Sequence, residues 1–235
     1  MVRSKIALWL GLSLLAACSG PAQLRPELAS ASSGAITLSD ALEKLIAEGT
    51  DTDEDRSAAY EIVQTLPADT AEDAFGRAAI AGRLAEKKGA LALLGSQSPT
   101  SLVGEAEKYA RQSRKLDAEF RQGAATRMLG SLYIFAPANL LEGGNSEDGI
   151  EILEHLVSTH PEVPENQLRL ADGYIALSDK EPAKKPLCLA LAQRDQLRRD
   201  DVTLADKLAK LMQPLDCKVT LGEAPAPPAE PAPAP

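Results

Sequence analysis

The chain has 235 residues with a formal net charge of −9, and aromatic side chains make up only 3% of it. The excess of acidic side chains opposes binding to nucleic acid and to anionic lipid, because both require clustered positive charge. Alanine and leucine are abundant. This composition favours closely packed helices over β-sandwiches, which use β-branched and aromatic residues.

Residues 1–17 have the features of an export signal. Two basic residues precede an apolar stretch, residues 6–16, which is too short to span a bilayer because spanning takes ~20 apolar residues. The stretch leads through Leu-Ala-Ala to Cys18 and resembles the bacterial lipobox, in which the cysteine is acylated. This resemblance implies a signal peptide, a lipid anchor on Cys18 and, with Ser19 next, sorting to the outer membrane. An ordinary secretory signal that contains a cysteine is the alternative.

Composition divides the remaining chain into three parts. Residues 18–36 are rich in Ser, Ala, Pro and Gly, which predicts a lipidated flexible tether. Residues 37–217 contain the folded domain. Residues 218–235 alternate Pro with Ala and Glu, which predicts a disordered, extended tail, either a spacer or docking strand or a plain terminus.

Apolar side chains recur at helical spacing throughout residues 37–217, and no segment there predicts a strand. Three helices are predicted to begin at Thr37, after the acidic run 51–55, and after Thr70, the third extending toward Leu94. The remaining predicted helices cover residues 101–116, 118–135, 146–159, 165–178, 182–198 and 201–212.

Two pairs of motifs recur as in a tetratricopeptide repeat. The first-helix motif L-G-x₂-Y at residues 129–133 recurs 41 residues later as L-A-x₂-Y at residues 170–174. The second-helix pattern of a small and a large residue recurs after 34 residues. The repeat signature comprises Leu129, Gly130, Tyr133, Leu170, Ala171 and Tyr174 in first helices, Gly149, Leu153, Ala183 and Leu187 in second helices, and the terminal Pro161. Small residues let two helices approach closely, and each hairpin needs a neighbour to bury its other face. The sequence therefore predicts an all-α, tetratricopeptide-like helical hairpin solenoid, with a helical bundle of accidental spacing as the alternative.

The spacing of 41 residues between the first-helix motifs exceeds the repeat period of 34 residues because of an enlarged turn. This turn contains Pro137, Asn139, Gly143, Gly144 and Asn145. Two glycines permit positive φ and a tight return of the chain. An enlarged loop on the rim of a repeat is also a candidate binding loop, since loops carry binding residues disproportionately.

The lipobox, the divergent repeats, the run Gly-Ser-Leu-Tyr-Ile-Phe-Ala-Pro over residues 130–137 and Gly-Gly-Asn at 143–145 occur together. Together they resemble the T component associated with TRAP transporters, over roughly residues 55–215. The resemblance implies a periplasm-facing scaffold that associates with a substrate-binding subunit and can enclose a ligand-conducting cavity. A general envelope scaffold for assembly or secretion is the alternative function.

Two cysteines remain if Cys18 carries lipid. Cys188 lies in a predicted helix and Cys217 follows the return helix, so an antiparallel return brings the two together. An oxidising compartment favours a disulfide between them. Two buried free thiols are the alternative.

No catalytic triad, phosphate loop, dinucleotide fingerprint or zinc motif occurs in the sequence. We therefore expect a protein that acts by binding, with no catalytic residues, no cofactor and no metal. Arg198 and Arg199 are interpreted as a solvated face, and Asp200 and Asp201 as charges that stabilise a helix N-terminus. The oligomeric state is left open.

Overall fold

The computed structural model describes residues 24–88 and 99–217, and this part of the chain is helical without strands, as the sequence predicts. Its α-helices are α1 (Pro26–Ala31), α2 (Ala35–Glu48), α3 (Asp53–Val63), α4 (Ala71–Lys88), α5 (Pro99–Leu116), α6 (Ala124–Phe135), α7 (Ser146–Thr159), α8 (Pro164–Ala176), α9 (Lys180–Ala192) and α10 (Arg199–Leu211). Within the described ranges no helix is long and apolar enough to cross a membrane. The predicted signal peptide, the lipidation site Cys18 and the tail 218–235 lie outside the described residues.

The described part of the predicted tether, residues 24–36, is folded, so the prediction of a flexible segment was wrong there. Pro26 begins α1, where its restricted φ suits a first helical turn, and Leu28 is fully buried. The next helix begins at Ala35, two residues earlier than expected, and the N–H of Ala35 donates a hydrogen bond to Asp73 on α4 (3.2 Å). Composition did not predict this fold because the segment is rich in polar and small residues, and only a few apolar side chains, among them Leu24 and Leu28, pack against the core.

Helix α6 begins later than the predicted helix over residues 118–135. Arg121, Gln122 and Gly123 have φ angles of 48°, 53° and 77°. Three consecutive residues in the left-handed region cannot continue a right-handed helix, so α6 starts at Ala124.

The predicted repeats form consecutive hairpins, in which α6 packs against α7 and α8 against α9. A third hairpin, α4 with α5, precedes them, and α2 and α3 pack on α4. The signature residues that lie in the cores of these hairpins are Leu129, Gly130, Tyr133, Gly149, Leu153, Leu170, Ala171, Ala183 and Leu187. Tyr174 and Pro161 are half-buried, and Pro161 lies in the turn between α7 and α8. The helical-hairpin solenoid is therefore present.

Helices α6 and α7 are in close contact through two glycines. A Cβ atom added to Gly149 would lie 2.8 Å from the carbonyl oxygen of Gly130, and one added to Gly130 would lie 2.6 Å from Leu153. The first of these contacts is with backbone, which cannot rotate away. The small residues of the repeat signature are therefore required at this crossing for steric reasons.

The C-terminal end of the solenoid is covered by α10. Leu208 of this helix, and Met212 directly after it, join the buried cluster of the last hairpin, around Leu168 and Leu187. Cys188 on α9 and Cys217 after α10 lie at disulfide-bonding distance, with Cα atoms 5.3 Å apart. The fold therefore brings together Cys188 and Cys217, the two cysteines whose pairing the sequence predicts.

We expect Gly149→Ala to destabilise the fold by about 1–3 kcal/mol, because the new methyl group forces α6 and α7 apart. Gly82→Ala on α4 is the matched control, since a Cβ at Gly82 meets nothing within 4 Å. That substitution should stabilise the fold by about 0.5–1 kcal/mol through the lower backbone entropy of alanine. Urea denaturation of both variants measures whether each substitution lowers or raises the free energy of unfolding. Equal midpoints for Gly149→Ala and the unsubstituted chain would contradict the close contact.

Candidate functional site: a cavity lined by the repeat helices

The inner faces of the helices line a cavity of about 1130 Å³ that is partly open to solvent. Residues of α2, α4, α5, α6 and α8 line it, together with the start of α10 and the segment that follows α6. Ligand pockets for small molecules typically measure ≈ 300–1,000 Å³, so this space is large enough for a ligand of that size or larger. The cavity lies on the concave side of the solenoid, where repeat proteins present their binding surface.

One wall of the cavity is apolar. It includes Phe75 on α4, Val103 on α5, and Met128 and Leu132 on α6. Phe135 also lines the cavity and is 50% exposed, although it is a large apolar side chain. An exposed aromatic side chain in a concave site is available for contact with a ligand or partner.

Another part of the wall is charged and joins the two ends of the described fold. Glu43 on α2 accepts two hydrogen bonds from Arg83 on α4, at 2.7 and 2.8 Å, and also pairs with Arg198, at the start of α10. Asp200 accepts from both arginines, at 3.3 Å from Arg83 and 3.0 Å from Arg198. We call Glu43, Arg83, Arg198 and Asp200 the closing cluster.

A second contact adjoins the closing cluster, because Arg199 donates a hydrogen bond to the backbone oxygen of Glu48 at the end of α2 (3.0 Å). The apolar clusters of the described residues follow the chain from α1 to α10, and none of them joins α2 to α10. The ring of helices is thus closed by polar contacts, whereas apolar packing stacks each helix on its neighbours.

The closing cluster depends on the ionised form of Glu43. Burial alone would raise the pKa of the Glu43 carboxyl, but the hydrogen bonds and charges of Arg83 and Arg198 outweigh burial, so the pKa lies below its ordinary value of 4.5. A pKa lower in the folded than in the unfolded chain gives stability that is present above pH 4.5 and is lost as the pH falls through the folded value. The ion pairs between Glu43 and the two arginines are therefore intact at neutral pH and weaken in acid.

The sequence predicted that Arg198 and Arg199 form a solvated face. Arg199 is exposed, as predicted, but Arg198 is half-buried, so the prediction was wrong for Arg198. Arg198 pairs with Glu43, 155 residues earlier in the chain, and with Asp201, whose side chain is 3% exposed. Asp200 and Asp201 do lie in the first turn of α10, as expected. The pairing of Arg198 with Glu43 could not be predicted locally, because neither the spacing nor the composition of residues 198–201 identifies a partner on α2.

The candidate binding loop separates into two parts. Pro137 lines the cavity, whereas Asn139 is exposed outside it, and Asn145 accepts hydrogen bonds as the cap of α7. Added Cβ atoms would lie 2.4 Å from Arg111 at Gly143 and 2.4 Å from Tyr133 at Gly144. The two glycines are thus needed for close packing. Neither has the positive φ expected from the sequence, so that reason for the glycines was wrong.

Buried Glu107 on α5 holds this loop in place. Its carboxylate, 2% exposed, accepts hydrogen bonds from the N–H of Glu142 (2.8 Å) and from the hydroxyl of Tyr133 (3.2 Å). Tyr133 therefore has two structural functions. It is a repeat-signature residue in the core, and its ring packs against the glycine turn at Gly144. None of the repeat-signature residues lines the cavity.

Within residues 24–88 and 99–217, no group of three histidine, cysteine or acidic side chains is placed to hold a metal ion. No family model matches the chain, and no curated protein sequence matches it. The cavity and its closing cluster are consequently the basis on which a function is proposed.

The closing cluster predicts that Arg198→Glu opens the ring, because the new carboxylate faces Glu43, Asp200 and Asp201. Spin labels at Lys44 on α2 and Lys207 on α10, both exposed, report the opening by double electron–electron resonance. We expect a longer and broader distance distribution than in the labelled chain without the substitution.

Arg194→Glu is the matched control, since Arg194 pairs with Asp206 within the C-terminal part of the fold (2.7 Å) and does not reach α2. It makes the same change of charge and should leave the distances unaltered. An identical distribution for Arg198→Glu and the parent chain would show that polar pairing does not close the ring.

Proposed function

We propose that the chain is a membrane-anchored, periplasm-facing binding protein that takes a ligand into the cavity of its helical ring. We further propose that it serves as an accessory component of a TRAP-type solute transport system and associates with the substrate-binding subunit. The observation that carries the proposal is the cavity of about 1130 Å³ on the concave side of the repeats. A concave, mainly apolar space of this size matches the pockets that bind small molecules.

The charge of the wall supports the same proposal. Most arginines that line the cavity are paired with carboxylates, as in the contacts of Arg83 with Glu43, Arg121 with Asp40 and Arg169 with Asp201. Such pairs hold their helices in fixed positions and leave the apolar wall free for contact with a ligand. A site of mainly apolar surface with a few fixed polar groups is the usual composition of a small-molecule pocket.

The lipid anchor rests on the motif around Cys18. Cys18→Ala should leave the chain unprocessed and without lipid, because the acyl acceptor is removed, whereas Ser19→Ala should still be processed and acylated. Detergent-phase partitioning and intact mass measure both outcomes. A lipid-labelled Cys18→Ala chain that still partitions into detergent would refute the anchor.

The proposed partner is tested by affinity purification of the tagged, lipidated chain from detergent-solubilised envelope. The control bait carries the same anchor on an unrelated mature domain. We expect a periplasmic substrate-binding protein of a TRAP system to be enriched on the chain and absent from the control. Enrichment of outer-membrane assembly or secretion factors instead would refute the transport proposal and support the envelope scaffold.

A further inference from the structure

Arg127 on α6 differs from the other arginines that line the cavity. Its guanidinium donates a hydrogen bond to the side-chain oxygen of Asn166 (2.6 Å), and Asn166 is fully buried. Arg83, Arg121, Arg169 and Arg198 each have a carboxylate within salt-bridge distance. Among the described residues, no carboxylate lies within that distance of Arg127.

The surroundings of Arg127 leave its charge only partly compensated. Burial lowers the pKa of the Arg127 guanidinium to about 10, and the charge of Glu165 offsets this only in part. The group is therefore still charged at neutral pH but is poorly solvated. An anion that pairs with a partly buried cation forms a hydrogen bond that is stronger than one between neutral groups.

Apolar side chains surround this cation on the same helix face. Arg127, Met128, Leu132 and Phe135 all line the cavity, at positions separated by one, three or four residues along α6. A ligand that places a charge on Arg127 consequently lays its remaining length along an apolar surface.

Further negative charge on the ligand would have no equivalent partner. Glu165 and Asp172 of α8 line the same cavity. These carboxyl groups oppose a second anionic group on the ligand, whereas a single carboxylate matches Arg127, the one arginine of the cavity that has no carboxylate partner among the described residues.

We infer that the cavity binds an amphipathic monocarboxylate, with the carboxylate on Arg127 and the apolar body along the cavity face of α6. This inference rests on the proposed ligand-binding function and specifies its ligand class. Asn166 acts as a positioning residue, because its hydrogen bond orients one edge of the guanidinium and leaves the other edge for the ligand.

Isothermal titration calorimetry with three probes of equal chain length tests the inference, using residues 19–235, which contain the whole described fold. The probes are decanoate, decan-1-ol and decanedioate, each below the concentration at which it aggregates. We expect decanoate to bind roughly tenfold or more tightly than decan-1-ol, the size expected for a hydrogen bond to a charged group. Decanedioate should bind more weakly than decanoate.

Arg127→Gln should abolish the preference for decanoate and leave the affinity for decan-1-ol unchanged, while Arg127→Lys should retain part of the preference. The matched control Arg194→Gln removes an arginine whose guanidinium lies outside the cavity and should alter neither affinity. Thermal melting followed by circular dichroism establishes that each variant is folded. The comparison of the three probes on the unsubstituted chain decides the question even if Arg127→Gln does not fold.

Equal affinities of the unsubstituted chain for decanoate and decan-1-ol would overturn the monocarboxylate inference alone. So would a preference for decanoate that persists in folded Arg127→Gln. Binding of none of the three probes would overturn the proposed ligand-binding function as well.

Discussion

The charges around Glu43 join the two ends of the helical array beside the cavity. One carboxylate on α2 is shared by Arg83 of α4 and Arg198 beside α10, so three parts of the chain meet at a single group. Ion pairs of partly exposed side chains are screened by salt and contribute modestly to stability. The apolar packing between successive helices is more extensive and follows the chain. The ring can therefore open at this contact without loss of its hairpins.

The hairpins themselves depend on close helix contacts at small residues. Gly130 and Gly149 bring α6 and α7 together, and Ala171 and Ala183 are fully buried where α8 packs on α9. This packing occupies one side of each first helix. The opposite side of α6, which includes Arg127, is directed into the cavity. The same packing that stabilises the repeat thus determines which side chains meet a ligand.

Local sequence patterns predicted the hairpins well and the boundaries less well. The repeat signature identified α6 to α9, because the spacing of small and large residues is a property of each helix. The prediction of a flexible tether was wrong over residues 24–36, since the burial of Leu28 depends on α2 and its neighbours rather than on local composition. The glycine turn was recognised, but only the fold shows Gly144 against Tyr133 and Pro137 at the cavity.

By itself the sequence determined the helical class and the repeat units, because periodicity and composition act over a few residues. The tertiary structure alone decided that α10 returns to α2, that Glu43 meets Arg198 across 155 positions, and that Arg127 has no carboxylate partner among the described residues. These outcomes depend on small rotations between successive hairpins that add up along the chain. No local sequence pattern predicts the total rotation along the chain. The cavity and the charges that line it are therefore apparent only in the folded structure.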